Sequence, residues 1–178
     1  MKDEPGVQTD SFSVRNGAPP DAPAIAIIHV LTWQRIYRGI MSDAFLDSLR
    51  PAQREPMWQR VLSEESGDVH VCSGRTGIVG FSNAGACRDS PSDAEIYAIY
   101  VHPDQWGTGC GWLLFSESCA AMRKRGFEDL VLWVAAGNDQ ARAFYERAGM
   151  VPDGGAKKAF IGGAHVEEVR YRLDLRDE

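Results

Sequence analysis

An apolar strand that runs directly into three alternating glycines is the feature that most constrains this chain. Residues 96–101 are apolar or aromatic, and residues 102–114 read HPDQWGTGCGWLL, with Gly107, Gly109 and Gly111 opening an amphipathic segment. The first backbone N–H groups of a helix lack internal partners and lie at the positive end of its dipole. Glycine lets an anion approach the main chain closely. The segment therefore predicts a phosphate-binding turn between a strand and a helix.

The spacing of these glycines excludes two common nucleotide-binding loops. A Rossmann fingerprint needs G-x-G-x-x-G, but Trp112 stands at the sixth position. A P-loop needs a lysine after its last glycine, and none follows here. The remaining G-x-G-x-G after V-x-P resembles the acyl-CoA pyrophosphate loop of the GNAT N-acetyltransferase superfamily, usually written Q/R-x-x-G-x-G/A. Trp106 departs from that pattern, because it stands where Arg or Gln is usual.

A second segment, residues 138–150, reads NDQARAFYERAGM. Asn138 is a good helix N-cap and Gly149 a good residue to follow the C-terminus. The segment resembles the second motif of the same family, N-x-x-A-x-x-x-Y-x-x-x-G-[FM], and the two motifs occur in the family's order. The alternative is a turn indifferent to phosphate, followed by an ordinary capped helix.

The resemblance implies acetyl-CoA as cosubstrate, with no metal. The pantetheine arm would pair with the freed edge of the glycine-loop strand, and the loop would hold the pyrophosphate. The residues that the resemblance assigns to acetyl-CoA binding are Ile99, Tyr100, Val101, Trp106, Gly107, Thr108, Gly109, Cys110, Gly111, Trp112, Asn138 and Tyr145.

Periodicity and turn residues predict a mixed α/β chain in which residues 11–178 form one domain after a disordered segment at 1–10. Strands are predicted over 11–15, 69–73, 77–83, 94–102, 130–135, 158–161 and 165–173. Helices are predicted over 22–37, 42–50 and 51–63, from the glycine loop to 125, and from 138 onward. The resemblance implies the GNAT fold. In that fold a mixed, mostly antiparallel sheet splays open between the glycine-loop strand and the next strand, with helices on both faces.

The implied reaction transfers an acetyl group to a primary amine of a small molecule or peptide. Such an amine is mostly protonated at neutral pH, so the site needs a base or an apolar pocket. By the family motif, Tyr145 faces the CoA sulfur and is the candidate acid; the alternative is a core tyrosine. Glu95 on the glycine-loop strand is the candidate base, acting through water; the alternative is an exposed residue at a strand edge.

Three residues of the first helix, His29, Trp33 and Tyr37, are spaced i, i+4, i+8. In the GNAT fold the first helices wall the acceptor pocket, so these rings could bind a cationic amine by cation–π contact. The alternative is packing against the sheet. Glu167 and Glu168 could also attract a cation, and at least one of them is expected on a solvated strand face.

Composition limits the partners. The net charge of −6 disfavours nucleic-acid binding, and no apolar run is long enough to span a membrane. Four cysteines without C-x-x-C spacing, and no apolar leader, favour a reducing cytoplasm. A homodimer remains compatible with the sequence. Two other functions also stay open: an acyl-CoA-binding module without catalysis, and a phosphate-binding interaction domain.

Overall fold

The computed structural model describes residues 12–64 and 67–176. Within them, one seven-stranded sheet has the order β1-β2-β3-β4-β5-β7-β6. Its strands are β1 Ser13–Asn16, β2 Gly67–Gly74, β3 Gly77–Ala86, β4 Ala94–Val101, β5 Asp129–Ala135, β6 Val151–Ile161 and β7 Ala164–Asp174. The helices are α1 Ala22–Ile36, α2 Asp43–Ser48, α3 Pro51–Ser63, α4 Cys110–Lys124 and α5 Asp139–Arg147.

The sheet splays between β4 and β5, which are its parallel pair. The two strands pair only where Ala94–Ile96 lies beside Leu130–Leu132. Directly afterwards, Tyr97 is an extra residue in β4, because Ile96 pairs with Ala84 while Ala98 pairs with Asn83. A bulge of this kind bends its strand and increases the local twist. The bulge therefore coincides with the point at which β4 leaves β5, and the predicted mostly antiparallel, splayed sheet is confirmed.

Helices cover both faces of the sheet, as predicted. On one face, α4 and α5 pack against alternate residues of β5, including Leu130 and Leu132. On the other face, α1 and α3 pack against β2 and β3, with Trp58 and Phe81 in ring contact at 4.8 Å. Residues of β5 that alternate with Leu132, such as Trp133, consequently face the α1 side.

One predicted strand was too short. The prediction placed a strand over 158–161, whereas β6 begins at Val151. Pro152 and the glycines at 154 and 155 are typical of loops, but here the pairing with β7 slips between Pro152 and Ala156 and then resumes. The turn to β7 has Gly162 and Gly163 at φ +58° and +79°, the signs that a type I′ turn requires. The disorder predicted for 1–10 concerns residues outside the described part of the chain.

Candidate functional site

A cavity of about 440 Å³ lies between the second half of β4, the glycine loop and α5. It is lined by most of the residues that the sequence assigned to acetyl-CoA, namely Ile99, Tyr100, Val101, Trp106, Gly107, Gly109, Gly111, Trp112, Asn138 and Tyr145. Two assigned residues do not line it. Cys110 is fully buried, and the Thr108 hydroxyl donates to the carbonyl of Gln105 at 2.7 Å.

The glycine loop presents bare backbone to this cavity. Gly107 and Gly109 have φ of +78° and +98°, a left-handed conformation that side chains rarely adopt. No atom lies within 4 Å of where a Cβ would stand on either residue. Gly109 directly precedes α4, so the unpaired N–H groups of the first turn lie beside this open space. The arrangement fits an anion at the helix N-terminus.

A glycine that the sequence analysis did not single out sets the position of α4. A Cβ on Gly80 of β3 would stand 2.8 Å from the Cys110 sulfur and 3.1 Å from the Tyr100 carbonyl oxygen. Only glycine lets the first turn of α4 approach the sheet this closely. No local pattern in the sequence could reveal this requirement, because Gly80 and Cys110 are far apart along the chain.

Trp106 ties the loop to the end of β4. Its indole N–H donates to the carbonyl of Val101 at 2.8 Å, and the Thr32 hydroxyl donates to the same carbonyl at 3.2 Å. Where Arg or Gln is usual in the family, this chain therefore has a neutral side chain that braces the loop. A phosphate bound there would be held by backbone groups rather than by a charge at position 106.

Tyr145 lines the cavity from α5. Its ring is buried against Phe144, Phe115 and Tyr171, with centroids 5.3, 6.4 and 6.3 Å away. Burial raises the pKa of Tyr145, so its hydroxyl stays protonated at neutral pH. A protonated hydroxyl on the cavity wall can donate a proton to a leaving group but is a poor base.

Other residues of α5 line the cavity without having been predicted. Gln140, Phe144 and Arg147 lie on the cavity wall. Their spacing of i, i+4 and i+7 places them on one helix face, so helical periodicity could have found them. Asn138 begins this helix as its N-cap, where its side-chain oxygen accepts from the N–H of Ala141 at 3.1 Å.

The structure does not bring Glu95 to the cavity. Glu95 lies in the closed part of the sheet, between Gly85 and Val131, and is only 1% exposed. Its carboxylate forms an ion pair with the guanidinium of Arg88 and also accepts from the Arg88 backbone N–H at 3.2 Å. The alternative of an exposed residue at a strand edge is wrong, because the side chain is buried, and the role of Glu95 as a base stays a prediction.

The three rings predicted on α1 lie close together, with the ring centres of His29 and Trp33 5.1 Å apart. His29 is buried, and its Nδ1 accepts from the indole N–H of Trp58 at 3.0 Å. Burial and the nearby charge of Arg54 lower the pKa of His29 to about 4, so it is a neutral core residue. Trp33 donates its indole N–H to the Tyr100 hydroxyl at 3.0 Å, and the Tyr37 ring lies 5.2 Å from the Trp33 ring. Trp33, Tyr37 and Tyr100 thus form one aromatic group.

Neither a membrane-spanning helix nor a metal-binding cluster occurs in residues 12–64 and 67–176. No helix in this part of the chain is long and apolar enough to cross a membrane. The same residues contain no group of three or more His, Cys, Asp or Glu side chains placed to bind a metal ion.

Comparison with known proteins identifies the fold and the family. Residues 32–150 match the model of the acetyltransferase (GNAT) family. A probable N-acetyltransferase of Mycobacterium tuberculosis is 25% identical over 173 residues, which cover 94% of this chain and 96% of that protein. An uncharacterised N-acetyltransferase of Bacillus subtilis is 29% identical over 161 residues, covering 88% and 90%. A putative acetyltransferase from Salmonella typhimurium, solved with acetyl-CoA, has a TM-score of 0.70 at 17% identity, covering 95% and 96%.

The family match spans well over half of the chain, so this protein belongs to the GNAT acetyltransferase family. It is an acetyl-CoA-dependent acyltransferase.

Proposed function

From this family membership, we propose that the protein transfers the acetyl group of acetyl-CoA to a primary amine of a small molecule or peptide. One observation carries the proposal: the bare glycine loop and the buried Tyr145 line one and the same cavity. The first feature suits a pyrophosphate, and the second suits a departing thiolate. The structure with acetyl-CoA from Salmonella typhimurium has the same fold, which supports this choice of donor.

The loop and β4 would divide the binding of the donor between them. Backbone N–H groups from Gly107 to Gly111 would hold the pyrophosphate, with the α4 dipole adding to the attraction. Beyond Ile96, β4 has no pairing with β5, so its edge is available to the amides of the pantetheine arm. Arg147 is the cation on the cavity wall and could attract the remaining phosphate.

The chemistry requires a neutral amine. An alkylamine with a pKa near 10.4 is neutral only about once in 10³ at pH 7. Glu95 is held by Arg88 and does not line the cavity, so direct removal of the proton by Glu95 is disfavoured. The aromatic group of Trp33, Tyr37 and Tyr100 instead favours desolvation, which lowers the pKa of an ammonium.

The protons balance as follows. As the N–C bond of the amide forms, the C–S bond of the thioester breaks. The starting ammonium loses two protons to solvent, and the CoA sulfur gains one. We assign the transfer to sulfur to the Tyr145 hydroxyl, which then recovers its proton from solvent. Because burial raises the pKa of Tyr145, the hydroxyl is the resting state of this group at neutral pH.

The proposal is tested by measuring thiol release from acetyl-CoA across a panel of amines, together with CoA binding by calorimetry. Amine-dependent thiol release supports the function. CoA binding without turnover on any amine would instead indicate an acyl-CoA-binding module. Absence of CoA binding would leave only a phosphate-binding interaction domain.

The four cysteines are free and buried, which supports a reducing, cytoplasmic location as part of the proposal.

A further inference from the structure

A lysine lies against a tryptophan and a glutamate on the α1 side of the sheet. The ammonium nitrogen of Lys157, on β6, is 4.0 Å from the centre of the Trp133 ring. The same nitrogen is 3.6 Å from a carboxylate oxygen of Glu168, on β7. Trp133 directly follows Leu132, the last residue of β5 that pairs with β4. This group of three, the Lys157 site, therefore lies beside the opening of the sheet.

The next pair along the same two strands shows that the arrangement is not a general feature of this hairpin. Lys158 and Glu167 also form an ion pair, with an N–O distance of 3.5 Å. Both of these side chains are 69% exposed, whereas the Glu168 side chain is only 17% exposed. Neighbouring residues of a strand point to opposite faces, so one pair faces solvent and the other faces the α1 side.

The hairpin that carries the Lys157 site is anchored at its tip. Phe45 of α2 packs on Gly162 so closely that a Cβ there would stand 2.2 Å from the ring. This contact fixes the tip of the β6–β7 hairpin against α2. Two contacts thus position Glu168. One is the contact of Phe45 at the tip of the hairpin, and the other is the pairing of β7 with β5, where Glu168 lies opposite Ala135.

Glu168 lies near the aromatic group of Trp33, Tyr37 and Tyr100. Burial raises the pKa of both tyrosines, and the Glu168 carboxylate adds to the rise at each hydroxyl. Tyr100 also lines the cavity proposed for acetyl-CoA. Tyr100 thus lines the cavity and also lies within the electrostatic influence of Glu168, while Thr32 and Ile36 of α1 line the same cavity.

An aromatic face and a carboxylate together are a binding site for an ammonium group. Lys157 supplies such a group at the end of an unbranched aliphatic stem. The other cation near the Trp133 ring, Arg170 at 5.5 Å, is neutralised by Asp153 through a 2.8 Å contact. Among residues 12–64 and 67–176, Glu168 forms its ion pair with Lys157 and with no other cation.

We propose that Lys157 occupies the subsite of the acceptor amine in this structure, and that Trp133 and Glu168 bind an unbranched aliphatic primary amine there once Lys157 moves out. The inference rests on the proposed N-acetyltransferase function and names its acceptor class. Lys157 acts as an internal competitor of the acceptor. Glu168 captures the acceptor as an ammonium, and the amine attacks the thioester only after this bound form has lost a proton.

Steady-state kinetics with butylamine as the acceptor test the proposal. In Lys157→Met the competitor is removed, so we expect KM for butylamine to fall with kcat nearly unchanged. If Lys157 fills the subsite about 90% of the time, the fall is roughly tenfold. The matched control is Lys158→Met, which removes the neighbouring, solvent-facing lysine and should leave KM as in wild type.

Glu168→Gln should change KM in the opposite direction. Loss of the charge-assisted contact weakens the acceptor about tenfold, but it weakens the competing Lys157 as well, so the net rise in KM is about twofold. Glu167→Gln is the matched control and should have no effect. A purely structural ion pair would give changes of the same sign in Lys157→Met and Glu168→Gln, since each variant breaks the same contact. Opposite signs therefore separate substrate binding from structural support.

The outcomes also separate this inference from the function on which it rests. If butylamine and other amines drive thiol release, but KM is unchanged or shifts the same way in both variants, the subsite is wrong and the function stands. If other amines are acetylated but butylamine is not, the acceptor class is wrong. If no amine drives thiol release in wild type, the proposed function itself fails. Should Glu168→Gln fold poorly, the comparison of Lys157→Met with Lys158→Met still decides the question.

Discussion

Arg88 holds the buried carboxylate of Glu95 with its guanidinium and with its own backbone N–H. Seven residues separate the two along the chain, and the loop between β3 and β4 brings them together. The Arg88 guanidinium also lies 5.1 Å from the centre of the Tyr97 ring, the bulge residue at the start of the splay. Glu95 thus fastens this loop to the closed end of the sheet.

This relationship predicts a structural rather than a catalytic effect for Glu95→Gln. Gln retains one acceptor oxygen, so we expect a loss of about 1–2 kcal/mol in unfolding free energy, reduced because Arg88 is partly solvent-exposed. Arg88→Met should cost more, because it leaves a buried carboxylate without its cation. Chemical denaturation measures both. A loss of kcat in Glu95→Gln that shrinks as pH rises would contradict this view and identify Glu95 as the base.

A second prediction concerns the glycine loop. Gly109→Glu places a carboxylate and a strained backbone at the expected pyrophosphate position, so CoA binding by calorimetry should be lost. Gly77→Glu is a matched control. Its φ of +113° imposes similar strain, and no atom lies within 4 Å of its Cβ position either, but it begins β3 and is not part of the cavity wall. Unchanged CoA affinity in folded Gly109→Glu would overturn the loop assignment.

The sequence predicted what local spacing determines. The glycine loop and the α5 motif each lie within about a dozen residues, and the cavity brings them together at the splay. Contacts between distant residues could not be predicted. The approach of Gly80 to Cys110 depends on how α4 packs against β3. The sequence also did not predict that Lys157 and Lys158 point to opposite faces of the sheet. That follows from both lying in β6, and the glycines near the start of β6 led to a predicted strand that began only at 158.

His29 provides a third prediction, in the pH dependence of stability. Burial lowers its folded-state pKa to about 4, below the ordinary value of 6.5. Between these values the unfolded chain binds more protons, so the contribution is complete above pH 6.5 and is lost as pH falls toward 4. The expected size is about 3 kcal/mol. His29→Gln should flatten unfolding free energy over this range relative to wild type.

A useful internal comparison for that measurement is His70, whose pKa is also lowered by burial. His70 adds the same pH dependence to the unfolding free energy of wild type and of His29→Gln. The difference between the two curves therefore reports on His29 alone. Parallel stability curves for the two proteins from pH 4 to pH 7 would show that His29 is already protonated in the folded state, or that it remains hydrated.

The last prediction tests the proton donor. Tyr145→Phe keeps the ring and its contacts with Phe144 and Phe115, so CoA affinity and stability should change little. Only the proton and its hydrogen bond are lost, and kcat should fall by roughly ten to a thousand-fold, as for removal of a general acid. Tyr97→Phe is the control for the removal of a tyrosine hydroxyl, since Tyr97 is not part of the cavity wall and donates its hydroxyl to the carbonyl of Ala86. Wild-type kcat in Tyr145→Phe would mean that water or the acceptor protonates the thiolate and that Tyr145 only packs. A large loss of stability would instead identify a structural partner for the hydroxyl, contrary to its assignment as the acid.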